Sequence, residues 1–234
     1  MNIDTFHPIK ERDKIEQIVK VFKNLIIEEK LKPGSELPSE RELAAQFQVS
    51  RYSLREALRS AQAQGLILLS QGKRPCVAEP SHHAATEILG ITMQRNNSPL
   101  SDLITARISL ECDIASIVAR KAGSGLLEKL EIVTKQMEYH KDDLEYCAKK
   151  DVEFHELLVD ATDNMVFKIM LTSVASLLKA SRLATLKHTG VDRALSGHKN
   201  IIAALKEHEQ EKARAAMRAH LEMAEDDIIQ IERT

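Results

Sequence analysis

Residues 32–67 read KPGSELPSERELAAQFQVSRYSLREALRSAQAQGLI. Ser39 followed three residues on by Glu42 has the form of a capping box, in which a hydroxyl and a carboxylate satisfy each other's backbone amides and start a helix. That helix, ERELAAQF, turns Leu43, Ala44 and Phe47 inward. Ser50 can cap a second one, RYSLREALRSAQAQ, and Gly65 can end it as the left-handed residue beyond its last turn. Two helices about four residues apart make a helix-turn-helix. The second helix of such a unit enters the DNA major groove with its N-terminal residues near base edges. Here those residues are Arg51, Tyr52, Ser53 and Arg55, while Leu54, Ala57 and Leu58 point the opposite way into a core.

Working outward, residues 12–30 carry Ile15, Ile18, Val19, Phe22, Leu25 and Ile26 at helical spacing, which predicts a first amphipathic helix. On the other side, the run Leu66–Leu69, a turn at Gln71–Pro75 and a return at Cys76–Ala78 predict a small hairpin, a wing. Between positions 41 and 74 stand Arg41, Arg51, Arg55, Arg59, Lys73 and Arg74 against only Glu42 and Glu56. Such a cationic patch attracts a phosphate backbone, and Arg41 and Lys73 are placed for phosphates rather than bases.

The 234 residues are 43% hydrophobic and 29% charged, with only 8 Gly and 6 Pro. Few breakers predict a mainly helical chain, and 5 Phe, 3 Tyr and no Trp exclude a large sandwich or barrel. Beyond residue 80, helical patterns run over about 100–122, 125–147, 149–161, 165–187, 191–207 and 209–231. The expected fold class is mainly α. A winged helix-turn-helix occupies 1–80, a linker or connecting helix 81–98, and an all-α antiparallel bundle 99–234. Three widely spaced cysteines without CxxC point away from disulfides and a zinc–thiolate cluster. Neither an 18-residue apolar run nor a signal-like start is present, which gives the expectation of a cytoplasmic chain with no membrane segment.

Within the bundle, Asp151 and His155 stand at i and i+4 on one helical face, flanked by Phe154, Leu157 and Leu158. His198 opens a later helical hairpin, and His220 lies on the last helix beside Met217 and Leu221. Antiparallel packing could bring all four inward. Three imidazoles and one carboxylate suit a divalent ion such as Zn²⁺, Ni²⁺ or Mn²⁺. By spacing alone the alternative is scattered pairs among nine histidines.

Residues 32–67 resemble the winged-helix signature of the GntR superfamily of bacterial transcription factors. The resemblance runs through Pro33-Gly34, Leu37-Pro38, Glu40-Arg41, Leu43-Ala44, Val49-Ser50-Arg51, Arg55-Glu56-Ala57-Leu58 and Gly65-Leu66. It implies DNA contacts from Arg41, Arg51, Arg55 and the wing-tip Gly72. The wing itself departs from the commoner pattern, reading Gly72-Lys73-Arg74-Pro75. Residues 100–231 resemble the FCD ligand-binding domain of FadR-type members, through DLITARISLECDIASIVARKA, DVEFHELLVDATDN, SGHKNIIAAL and ARAAMRAHLE.

That second resemblance implies a metal held by Asp151, His155, His198 and His220, and a small organic acid whose carboxylate meets the ion and Arg107. The other reading of Arg107 is a helix-surface ion pair with Glu111 at i+4, and Arg182 is a further candidate for the acid. Gly197 stands where a glutamate usually precedes the third ligand, and Asp163-Asn164 replaces Gly-Asn. As a whole the resemblance implies a homodimeric, effector-responsive regulator, more often a repressor, on a palindromic operator. Two rivals are a metal-free FadR-like sensor of an acyl ligand and a metal-dependent hydrolase using Glu153 or Glu156 as base.

Overall fold

The computed structural model describes residues 11–79 and 83–232, divided into two compact units between Ala84 and Ala85. The first holds α1 (Glu11–Ile27), α2 (Glu40–Gln46), α3 (Arg51–Ala63) and an antiparallel hairpin of β1 (Ile67–Leu68) and β2 (Cys76–Val77), with Ile67 opposite Val77. The helix starts follow the capping chemistry. Ser39 accepts from the Glu42 amide while the Glu42 carboxylate accepts from the Ser39 amide, and Ser50 Oγ accepts from the Ser53 amide at 3.0 Å. Gly65 takes a φ of 70° after α3, and Gly72 one of 73° at the hairpin tip; both values favour a residue without a side chain. Ile18, Val19 and Phe22 of α1, Leu43 and Ala44 of α2, and Leu54, Ala57, Leu58 and Ala61 of α3 fill one core with Ile67 and Val77. Phe47 meets Phe22 edge to face at 5.7 Å.

The second unit is helical throughout: α4 (His83–Asn96), α5 (Leu100–Ala119), α6 (Ser124–Tyr139), α7 (Leu144–Asp160), α8 (Met165–Leu177), α9 (Lys179–Thr189), α10 (Asp192–Lys206) and α11 (Gln210–Glu232). Leu89 and Met93 of α4, within the segment expected as a linker or connecting helix, pack against this unit's core. Among the described residues no single helix is long and apolar enough to cross a membrane. The core centres on Ile104, Ile108, Val118, Phe154, Leu158, Ile201, Met217 and Leu221 from α5, α7, α10 and α11.

Two expected helices are divided. The pattern read as 125–147 ends at Tyr139 and restarts at Leu144, because the Asp143 side chain caps the Tyr146 amide and opens α7. The pattern read as 165–187 breaks at Leu178. Thr172, Ser173 and Ser176 each donate to the carbonyl four residues back, a bond that competes with the helix ladder and bends it. The break gives α9 its own direction and sets Arg182 beside Asp151 of α7.

Candidate functional site

On the first unit, Arg51 and Tyr52 are exposed at the start of α3, Arg41 is exposed on α2, and Gly72 and Lys73 are exposed at the hairpin tip. Arg55, also exposed, donates from Nε to Glu40 Oε2 at 2.7 Å, which ties α3 to the first residue of α2. Ser53 corrects the sequence reading. It is 4% exposed, and its hydroxyl shares a 2.7 Å hydrogen bond with Ser50 Oγ, so it builds the start of α3 rather than the surface around it.

In the second unit, α7 supplies Asp151 and His155, α10 His198 and α11 His220. All four are buried, and one donor atom from each lies within 4.8 Å of the others. His198 Nε2 stands 3.0 Å from Asp151 Oδ1, and His220 Nε2 stands 3.3 Å from His155 Nε2. Phe154 stacks on the His198 ring with centroids 3.8 Å apart, which fixes its plane.

Around these four the structure adds two partners. His155 Nδ1 abuts one oxygen of Glu111, and the other oxygen accepts from Arg107 Nε at 2.5 Å. The Arg107–Glu111 ion pair, the alternative reading of Arg107, does form, but it is buried, at 4% and 1% side-chain exposure, and not at the helix surface. Arg182 Nε donates to Asp151 Oδ2 at 2.6 Å. Glu111 was visible in the sequence only as the fourth residue after Arg107. Nothing in that spacing says that its second oxygen turns to an imidazole from another helix.

Burial opposes the charge on Asp151, yet Arg182 and then His198 outweigh it and hold the carboxyl well below its usual value. Burial likewise opposes charge on Glu111, and Arg107 foremost holds that carboxyl down. His198 and His220 are pushed below the usual histidine value, in each case mainly by burial. The cluster thus presents a carboxylate and imidazole nitrogens from buried side chains. A divalent cation fits that donor set, and an imidazole held neutral is the form that ligates.

A cavity of about 600 Å³, counted to its open mouth, borders the cluster and is lined by Arg107, Asp151, Arg182, Thr189, His220 and Leu221 among others. Arg107 Nη2 and Arg182 Nη1 are buried without a hydrogen-bond partner in the protein. Two unmet guanidinium donors at one cavity suit an anion, carboxylates above all.

Acid should loosen this unit. A histidine whose folded value is depressed contributes stability that is complete above its unfolded value, near 6.5, and is lost as pH falls through the folded one. The depressed carboxylates add a loss of the same sign below about pH 4. In chelator-treated protein the second unit should therefore melt lower at pH 5.5 than at 7.5, and His220→Gln should reduce the difference. A midpoint constant over that range would refute the buried neutral histidines.

Two family models match the chain, one described as bacterial regulatory proteins, gntR family, over residues 14–77, the other as the FCD domain over 102–223. The chain belongs to the GntR family. It is a DNA-binding transcription regulator and not an enzyme. Among its GntR-family relatives, the HTH-type transcriptional regulator LutR of Bacillus subtilis (strain 168) is 34% identical over 202 residues, 84% of this chain and 92% of LutR. The HTH-type transcriptional repressor NanR of Escherichia coli (strain K12) is 27% identical over 228 residues, 92% of this chain and 84% of NanR. A solved Streptococcus agalactiae GntR structure matches with a TM-score of 0.71 at 27% identity, over 91% of this chain and 99% of that one. The hydrolase reading also lacks its base, since Glu153 pairs with Lys150 at 2.8 Å and Glu156 is exposed.

Proposed function

We propose that this GntR-family chain is an effector-responsive repressor whose second unit holds a divalent ion, Zn²⁺, Ni²⁺ or Mn²⁺, through Asp151, His155, His198 and His220. The observation that carries the reading is the convergence of those four buried donors beside a cavity with unmet guanidinium donors. Bound there, the ion supplies a Lewis-acidic position for an oxygen ligand. Arg107 and Arg182 each retain a free donor for the carboxylate of a small organic acid. The metal-free acyl sensor is the poorer reading, because an acyl tail has no use for those two donors.

The chain acts in the cytoplasm as a homodimer, and the two-fold axis makes the operator a palindrome. Arg51, Tyr52 and Arg55 read bases from the start of α3, while Arg41 and Lys73, with the Gly72 amide, hold phosphates. Ser53, occupied in the cap, is left out of that set. An acid that binds one arrangement of the dimer better than another shifts operator affinity by no more than that difference.

Elemental analysis of untagged protein tests the centre. About one ion per chain, lost in a His155→Ala/His220→Ala variant, is the expected result; folded wild type free of metal would return the acyl sensor. Operator affinity measured across a library of small carboxylates tests the switch, and a flat response would end it. On the DNA side, Arg51→Ala should lower discrimination between operator and random DNA by about 1–3 kcal/mol. Lys73→Ala should weaken both alike and reduce the salt slope by about one. Equal losses on the two DNAs for Arg51→Ala would remove it from base reading.

A further inference from the structure

Gly197 of α10 lies directly against the His220 ring of α11. A methyl group built on Gly197 would stand 2.2 Å from His220 Nδ1, 2.8 Å from its Cγ and 3.1 Å from its Cβ, where carbon contacts optimally sit near 3.5–4.0 Å. The ring is buried, with the His198 and His155 rings at centroid distances of 5.0 and 5.3 Å. It fits because residue 197 has no side chain. The nitrogen nearest Gly197, Nδ1, has no hydrogen-bond partner in the protein. A ligating histidine is ordinarily oriented by an acceptor on its second nitrogen; His155 Nδ1 at least abuts a Glu111 carboxylate oxygen, whereas among the described residues no carboxylate is paired with His220. For His220 the contact on that side is the backbone of α10.

We propose that Gly197 is a positioning residue for His220. Its missing side chain leaves the space in which the ring brings Nε2 to within 3.3 Å of His155 Nε2, so a steric seat stands in for the absent acceptor. The inference rests on the proposed ion for its functional consequence, though the seat itself does not. His220 also lines the cavity, which gives the ring somewhere to swing when a methyl group fills the seat. The helices then survive while the donor cluster opens. Glycine inside a helix is otherwise less favourable than alanine, and with the ring gone only the Cβ at position 220, at 3.1 Å, still crowds the new methyl group.

The test is Gly197→Ala in two backgrounds, wild type and His220→Ala, with zinc as the probe. In the wild-type background, zinc affinity by chelator competition should fall at least tenfold with the far-UV spectrum unchanged, and the melting temperature of chelator-treated protein should drop. In the His220→Ala background, the chelator-treated melting temperature should fall by much less, because only the 3.1 Å contact to the Cβ at position 220 remains. If Gly197→Ala alone fails to fold while the double variant folds, the ring is the obstacle and the proposal stands. Wild-type zinc affinity in Gly197→Ala, an equal drop in both backgrounds, or failure of both variants to fold would each overturn it. Wild-type protein that takes up no zinc would refute the metal reading alone, leaving the two-background comparison to judge the seat.

Discussion

Exchanging Glu111 for alanine is expected to cost the second unit about 3–5 kcal/mol, the range found when one partner of a buried ion pair is removed. The size follows from what the carboxylate leaves behind. Arg107, 4% exposed, loses the oxygen it donates to at 2.5 Å, and its Nη2 already has no partner. His155 loses the carboxylate oxygen that abuts its Nδ1 as well. For a unit of this length the loss corresponds to a fall on the order of 10 °C in melting temperature. Glu111→Gln separates packing from chemistry. If its amide carbonyl keeps the Arg107 bond, the NH₂ faces His155 and forces Nδ1 to accept, leaving the proton on Nε2 where an ion would bind. The glutamine variant should therefore lose less stability than the alanine one and still bind zinc 10–100-fold more weakly. An alanine variant within about 1 kcal/mol of wild type in a denaturant titration would mean that Arg107 and His155 do not depend on the Glu111 carboxylate.

How much of this was legible in the sequence depended on the range of the interaction involved. Ser39, Glu42, Ser50 and Gly65 act on neighbours three or four residues away, and each does in the structure what its spacing says. The four candidate ligands were also found in the sequence, because Asp151 and His155 share a helical face and His198 and His220 fall within recognisable segments. What escaped was decided between helices or by side-chain bonds that hydrophobic spacing does not record. The Ser and Thr hydroxyls that break the helix at Leu178 look like ordinary small polar residues in an apolar pattern. Ser53 reads as a DNA contact until its burial is known. Gly197 was visible as a departure from its family, but its meaning depends on a ring carried by another helix 23 positions further along the chain.

If the second unit holds the proposed ion, stripping it from wild-type protein should have the other large effect, and it should fall on one unit. The four donors come from α7, α10 and α11, helices that would lose a common tie, whereas residues 11–79 contribute none of them. At free ion a thousandfold above its dissociation constant, a site of the folded state alone contributes about 4 kcal/mol, or roughly 10 °C for a unit of this size. In calorimetry with and without chelator, the transition of the second unit should shift by that order while that of the winged helix stays within a degree or two. In the wild type, raising the free zinc concentration tenfold should lift the affected transition by a further 1.4 kcal/mol or so, as mass action demands; in His155→Ala it should have no effect. A shift common to both transitions would indicate non-specific binding. With chelator inert on both, His155, His198 and His220 would be packing residues of the core, and the metal-free acyl sensor would return.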